Sequence, residues 1–560
     1  MISDKRAIQD IIQLLYAKGV YHVIITPGSR NAPFSISFFE NRNFDVHSVV
    51  DERSAAFIAL GLAQQSDKPV ALICTSGTAA LNFSPAIAEA YYQEIPLIVI
   101  TADRPMEWVD QGEGQTINQS GVFRNFVRAS YDIIQDLNDK DFEWYNARVM
   151  NEAIDKAMHP VRGPIHLNFP LRESLYKTID APLEEVKVIE RVERSIQLEP
   201  ETAKELAREI SLKKKVMILV GQFHTENYTL SKLEEWAKLP NVVVFTESHS
   251  GLESPLFVGC IDRMIMTVTQ EQLEFIRPDL VIGIGKNIIS RKIKGLLRSN
   301  RVEHWYVGED ALLMDTFQRL KKIVPVAADY FFEAIGSQLC VPDSDYNRTI
   351  MAWNATKQKL AIQYAEHAKF SDLTVCKEVL KAIPDNSRVQ MGNSSIARYI
   401  QLFDRNSSLR FSGNRGVSGI DGCTSTAVGA AYVYEGLTTL ITGDLSFLYD
   451  SNAFWNEFVS DRLKVIIINN GGGGIFRIIE GPPSTQALEK FFETSHQRNG
   501  SYLAQEFNLA YFSASNEEDL KIGLDKLFAS SGCSILEVFT PRMANDEVLR
   551  DFFDFIKENS

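Results

Sequence analysis

The sequence predicts an α/β protein built from three domains, each a mainly parallel sheet flanked by helices. Three observations carry that expectation. Short, near-continuous apolar runs such as Val70-Ala71-Leu72-Ile73-Cys74, Val216 to Val220 and Val465-Ile466-Ile467-Ile468 recur along the chain, as in strands buried on both faces. Segments with apolar residues at helical spacing lie between them. The runs end, one after another, in polar or glycine-bearing loops, the edge at which an open α/β sheet binds ligands. At 560 residues the chain exceeds one core, and about 100–200 residues per domain gives about three. The expected division is 1–181, 200–340 and 355–560, with weakly patterned linkers at Pro182 to Pro200 and around Val341 to Tyr346.

Composition narrows the function. A hydrophobic share of 45% is that of a globular protein. No apolar run reaches the length of a membrane span, and the N-terminus is mixed rather than an apolar signal core, so no integral membrane segment and a cytoplasmic location are expected. Cys74, Cys260, Cys340, Cys376, Cys423 and Cys533 lie far apart without CxxC pairing, which predicts reduced, mostly buried thiols. A formal charge of −14 disfavours nucleic acid. Anionic ligands then need local arginines.

In chain order, Ile8, Ile11, Ile12, Leu14 and Leu15 form a helical stripe that Gly19 stops ahead of the strand Tyr21 to Ile25. Thr26-Pro27-Gly28-Ser29-Arg30-Asn31 follows at the strand's carboxyl end; Ser29 and Arg30 serve either as a turn and helix cap or as donors to a carboxylate. Val46 to Val50 runs into Asp51-Glu52-Arg53 and a helix. Pro69 to Cys74 ends in Thr75-Ser76-Gly77-Thr78, whose small residues permit close backbone approach. Ile95 to Ile100 ends in Thr101-Ala102-Asp103-Arg104-Pro105. Gln111 to Gln119 is polar, and Val161 to Asn168 holds the last strand of this domain, where His166 reads as a satisfied core histidine.

The second domain has strands near 216–220, 242–245, 280–284 and 302–307. Gly283-Ile284-Gly285 lacks the third glycine of a dinucleotide loop. Arg291-Lys292 is either a solvated pair or a substrate contact. The third domain opens with a strand ending at Met391-Gly392-Asn393-Ser394-Ser395, with Arg398 one turn on, then Asn414-Arg415-Gly416 and Ser418-Gly419-Ile420-Asp421-Gly422. Ile475-Phe476-Arg477 begins a mobile-looking segment to His496, and Ser534 to Val538 is the final strand.

The chemistry concentrates at Gly443-Asp444-Leu445-Ser446, after Thr438 to Thr442, and at Asn469-Asn470, after Val465 to Ile468. Phe454, Trp455 and Phe458 predict a helix over Phe447 to Arg462, completing a βαβ unit whose two strands end on one edge. Asp444 and Asn470 then converge. A carboxylate, an amide and a carbonyl from the following glycines suit a hard divalent cation shared with a phosphate.

Gly443-Asp444 followed at this distance by Asn469-Asn470 resembles the signature of thiamine diphosphate-dependent enzymes, with Leu445 where the third signature glycine often stands. Together with Thr26-Pro27-Gly28-Ser29-Arg30, Asp51-Glu52-Arg53, Thr75-Ser76-Gly77-Thr78, Thr101 to Pro105, Gly392-Asn393-Ser394 and the loop through Ile420, it resembles, over nearly the whole chain, the SEPHCHC synthase family of menaquinone (vitamin K2) biosynthesis. The resemblance implies the thiamine diphosphate-binding fold and a transferase that decarboxylates 2-oxoglutarate and adds the succinyl unit to isochorismate. It implies thiamine diphosphate with Mg2+ or Mn2+ as cofactors, and a homodimer or dimer of dimers. Asp444, Asn470 and Gly472 are assigned to the metal; Thr75, Ser76, Gly443, Leu445 and Ser446 to the cofactor; Glu52 to its aminopyrimidine and Ile420 to its V shape. Ser29, Arg30, Arg104, Gln115, Arg291, Lys292, Ser394, Arg398 and Arg415 fall around substrate, with Glu52, Ser29, Arg30 and Gln115 as catalytic candidates and Ile475 and Phe476 as apolar walls. Arg291-Lys292 stands where the family more often has Lys-Arg, and Gly474 where some members have glutamine. The alternative is another 2-oxo acid carboligase or decarboxylase using the same cofactor.

Overall fold

The computed structural model describes residues 1–135, 139–180, 183–192, 194–223, 227–298, 302–479 and 481–560. Three parallel sheets follow one another along the chain. The first runs in the order Asp45–Ser48, His22–Ile25, Val70–Cys74, Leu97–Asp103, Ile165–Pro170, Ser130–Asp132. Its central strands Val70–Cys74 and Leu97–Asp103 are buried at every position, because helices cover both faces and leave no polar side to alternate with. The second sheet has the order Val242–Thr246, Val216–Val220, Leu280–Ile284, Glu303–Val307, Leu320–Val324. The third is Arg410–Gly413, Arg388–Met391, Thr438–Gly443, Leu463–Asn469, Ser534–Phe539, Ala510–Ala514.

Numbered within their own sheets, the first and third share one strand order, 2-1-3-4-6-5. Their equivalent helices, Glu52–Ser66 and Cys423–Val433, each after the second strand, cross in direct backbone contact. A Cβ on Gly61 would lie 2.0 Å from the Thr426 carbonyl oxygen, and one on Gly429 would lie 2.1 Å from that of Ile58. Only glycine permits that approach. The crossing fixes the first and third sheets against each other, so ligand loops of both keep a set relation.

Residues 183–192 and 194–199 form neither helix nor strand, while Ala181 and Pro182, where the first domain was expected to end, lie outside the described residues. The helix Tyr346–His367 joins the last two sheets: Tyr346 and Ile350 lie in a core of the second, Ala361 and Ala365 in a core of the third. Five cysteines are buried and Cys340 is exposed, all as free thiols. Among the described residues no helix is long and apolar enough to cross a membrane.

One expectation is corrected. Phe447 to Arg462 is not a helix with one buried face; a short helix, Asp444–Tyr449, is followed by a 3-10 turn, Ser451–Phe454, and irregular chain. Polar side chains draw the backbone elsewhere. The fully buried Asp450 carboxylate accepts from the Ser425 backbone N–H (2.6 Å) and hydroxyl (2.7 Å), and Asn452 donates to Asp51 (2.7 Å). Phe454 is buried as its spacing implied, but Trp455 is 51% exposed. The βαβ connection survives, since Thr438–Gly443 and Leu463–Asn469 are parallel neighbours.

Candidate active site

Asp444 and Asn470 meet at the carboxyl ends of those two strands. Asp444 opens the helix Asp444–Tyr449 directly after the strand and is 3% exposed. Its Oδ1 accepts the Leu445 N–H (2.7 Å) and its Oδ2 the Gly472 N–H (2.9 Å), with His496 Nε2 at 3.2 Å from Oδ2. Asn470 donates through Nδ2 to Asp372 Oδ2 (2.8 Å), which leaves its Oδ1 buried with no partner. An acceptor oxygen orphaned beside a carboxylate is the donor chemistry a hard divalent cation takes. The residues therefore fit the metal. Gly472, at φ +149°, brings backbone close: a Cβ there would stand 2.6 Å from the Glu493 carbonyl oxygen.

Asp372 lies at this site and was missed by sequence reasoning. Fully enclosed, it also accepts from the Thr540 hydroxyl (2.6 Å), and burial pushes its carboxyl up to about 6. By engaging Nδ2 it fixes the Asn470 amide and leaves its oxygen free of any partner. Its signal in sequence is faint: an aspartate at the start of the helix Asp372–Ala382 reads as a dipole complement.

The third strand of the first sheet ends equivalently. Thr75 Oγ1 accepts the Arg30 backbone N–H (3.2 Å), and Ser76 Oγ is buried without a partner. Glu52 begins its helix, capped by Asp51. Among the described residues no hydrogen bond reaches the Glu52 carboxylate, whose charge is felt at Cys74. Its neighbours are committed to the same chain's third domain, with Arg53 donating to the Tyr449 carbonyl (3.0 Å) and Asp51 accepting from Asn452.

The basic residues fall into two sets. In the first domain the buried Arg30 donates to the Leu171 carbonyl (3.0 Å) and pairs with Glu173 (3.1 Å), while Arg104 pairs with Glu113 (3.3 Å). Burial, with Arg104 adding to it, pulls the Arg30 guanidinium below its ordinary value. Ser29 and Gln115 are exposed on adjoining loops, Gln115 at φ +57°. In the second set, Arg415 donates to Asn393 Oδ1 (2.7 Å), and Arg398 stands in the helix Ser395–Tyr399 after Ser394. Burial lowers Arg398; Asp262 opposes this and Arg291 adds to it, whereas Lys292 acts on Asp262. Among the described residues no hydrogen bond or ion pair joins the two sets, nor Glu52 to Asp444.

The Ile420 loop is tied to the metal motif by Ser446 Oγ, which donates to the Ile420 carbonyl (2.9 Å), and by Asn393 Nδ2 to that of Gly419 (2.5 Å). Glu89, also missed in sequence, holds it from the first domain: its buried carboxylate accepts the N–H groups of Val417 (2.7 Å) and Ser418 (3.3 Å), and that of Gly416. An acid in the otherwise apolar Ala86-Ile87-Ala88-Glu89-Ala90 could have flagged it. Ile475 is buried, and Phe476 stacks obliquely on Phe492 at 5.6 Å. His166 is a core histidine as expected, bonded to Thr101 (2.8 Å) and Ser130 (3.0 Å) and pulled down to about 4 by burial.

Residues 5–122 match the family model for the thiamine pyrophosphate enzyme N-terminal TPP binding domain. The chain is 40% identical over 558 residues to 2-succinyl-5-enolpyruvyl-6-hydroxy-3-cyclohexene-1-carboxylate synthase of Flavobacterium johnsoniae, covering 99% of both chains. It is 38% identical over 572 residues to the synthase of that name from Porphyromonas gingivalis, covering 100% of this chain and 98% of the relative. Its fold is similar to benzoylformate decarboxylase from Polynucleobacter necessarius, with a TM-score of 0.74 at 17% identity over 96% of this chain and 99% of that one. Identity of this order running from end to end, with the thiamine pyrophosphate domain in place, means that the chain belongs to the 2-succinyl-5-enolpyruvyl-6-hydroxy-3-cyclohexene-1-carboxylate (SEPHCHC) synthase family of thiamine diphosphate-dependent enzymes.

Proposed function

We propose that this protein decarboxylates 2-oxoglutarate and joins the remaining succinyl unit to isochorismate, giving SEPHCHC in the cytoplasmic, menaquinone-forming branch of metabolism. The observation that carries the reading is the orphaned Asn470 oxygen beside Asp444, together with two separate basic sets in an acidic chain. Asp444, Asn470 and the Gly472 backbone would hold Mg2+ or Mn2+ against the diphosphate, with Thr75 and Ser76 lining the other end of the cofactor. When bound, thiamine diphosphate supplies the carbon that engages a 2-oxo acid carbonyl and the electron sink for loss of CO2. The protein's share is placement. Arg30 and Arg104 on one side, and Arg398, Arg415 and the Arg291–Lys292 pair on the other, answer the carboxylates of two dianionic substrates through charge-assisted, fork-type bonds. Ile475 and Phe476 exclude water, and Glu52 holds a proton at the aminopyrimidine ring nitrogen. Product identification with 2-oxoglutarate and isochorismate tests this: SEPHCHC is expected, and turnover with pyruvate or without isochorismate at equal efficiency would replace it by another carboligase or decarboxylase.

One cofactor motif on each of two sheets that share a strand order, Glu52 beside the first and Asp444 at the edge of the third, supports an active site completed across a homodimer, Glu52 of one subunit facing the metal site of the other. Subunit exchange between inactive Glu52→Gln and Asp444→Ala chains is expected to restore about one intact site per heterodimer, since one site inherits both lesions and the other neither. Verified heterodimers without activity would mean that each chain builds its own site.

A further inference from the structure

Beneath the second basic set lies a carboxylate that the proposed function does not use. Glu247 follows the strand Val242–Thr246 and is fully buried. Its two oxygens accept the backbone N–H of Ile289 (2.5 Å) and of Ser290 (2.7 Å). Ser290 in turn caps the helix Arg291–Leu297, its Oγ accepting the Ile293 N–H (3.1 Å) and donating to the largely buried Asp262. The two residues immediately before the exposed Arg291 and Lys292 therefore hang from one buried carboxylate. The same loop reaches Arg415. Asn287 accepts at its carbonyl from His249 Nε2 (2.7 Å) and donates through Nδ2 to the Arg415 carbonyl (2.8 Å).

Helix capping does not explain this arrangement, because Ser290 already caps the helix without burying a charge. An enclosed carboxylate is costly unless cations and donors answer it. Here Arg415, Arg398 and Lys294 all feel the Glu247 charge, and His249 Nδ1 lies 3.8 Å away. Arg398 feels the like charge of Arg291, and Arg415 that of Arg398. Burial pushes the Glu247 carboxyl up to about 7 against the pull of its two N–H donors and Arg415, so it is the pair of hydrogen bonds, rather than a fixed charge, that sets the register of the loop presenting the basic pair.

We propose that Glu247 is the positioning residue of the substrate-binding basic cluster, holding Arg291, Lys292 and Arg415 in the spacing that takes a dicarboxylate. This rests on the substrate reading above. The test is Glu247→Asp in the thiamine diphosphate and Mg2+-loaded enzyme, which keeps the carboxyl group but, one methylene shorter, cannot reach both N–H groups. KM for one dicarboxylate is expected to rise at least about tenfold, since misplacement by about 1 Å costs up to about 100-fold. With the defect confined to binding, kcat should stay within about twofold. In an Arg291→Ala/Lys292→Ala background the same substitution should change KM less than about twofold, the mark of a residue acting through its partners. Should Glu247→Asp fail to fold, Glu247→Gln carries the test, because its single acceptor can hold only one of the two N–H groups. A wild-type KM in the variant overturns the proposal, as does an undiminished effect without the basic pair, or a parallel fall in kcat, cofactor affinity and melting temperature. A wild-type enzyme that turns over no dicarboxylate pair overturns the substrate reading and this inference with it.

Discussion

Asp444→Ala is expected to lower affinity for thiamine diphosphate in the presence of Mg2+ by on the order of 100-fold or more, given that losing an outer partner of a metal ligand alone costs about 10–100-fold. Asp444 is the carboxylate of the pair, and without it the diphosphate charge would sit unneutralised in an enclosed site. The fold should survive. Removing the side chain leaves the Gly472 and Leu445 N–H groups without their acceptor, a loss of about 1–3 kcal/mol each in a chain whose sheets are held by cores elsewhere. Calorimetric titration of cofactor with metal reads the result directly, and a melting curve without cofactor checks the fold. Unchanged affinity would remove Asp444 from the metal shell, and would leave the orphaned Asn470 oxygen without an explanation.

Legibility in the sequence followed burial. Central strands such as Val70–Cys74 and Val216–Val220, and Val465 to Ile468 within Leu463–Asn469, are apolar because both faces are covered, and each stood out as a run. Four strands of the three parallel sheets that were not anticipated, Ser130–Asp132, Leu320–Val324, Arg410–Gly413 and Ala510–Ala514, all lie at sheet edges. There one side meets solvent, and sequences such as Leu320-Lys321-Lys322-Ile323-Val324 carry charge. The expected helix over Phe447 to Arg462 failed for a related reason. Its aromatic spacing was real, but Asp450 and Asn452 bond to partners far away in sequence, and no local period records that.

The candidate site divides the same way. Asp444, Asn470, Glu52 and the arginines lie in compact motifs at strand ends, where a ligand edge concentrates chemistry into a few adjacent letters. Glu89, Glu247 and Asp372 do not, because each acts on groups brought close only by the fold. Glu89 grips the N–H groups of Gly416 to Ser418 from another domain. Glu247 grips the loop before Arg291, and Asp372 orients Asn470. A residue that positions another leaves no fixed spacing, whereas a residue that touches the cofactor must come with the backbone that presents it.

Glu52→Gln should divide binding from chemistry where Asp444→Ala removes both. Glu52 starts a helix whose cap, Asp51, and next residue, Arg53, are anchored to Asn452 and Tyr449, so the position is rigid and an amide of nearly equal size fits it. The metal and diphosphate ends keep all of their ligands, and cofactor affinity should change little. An amide cannot give and take the proton at the aminopyrimidine ring nitrogen as a carboxyl group does, and a positioned acid–base group contributes about 10²–10⁴-fold. Hydrogen–deuterium exchange at the thiazolium carbon of bound cofactor, followed by quenched-flow NMR, should slow by a factor in that range. It needs no substrate, so it remains valid whichever 2-oxo acid the enzyme accepts. Exchange at the wild-type rate would take Glu52 out of the site; loss of cofactor affinity along with exchange would instead make it a structural residue of the first domain.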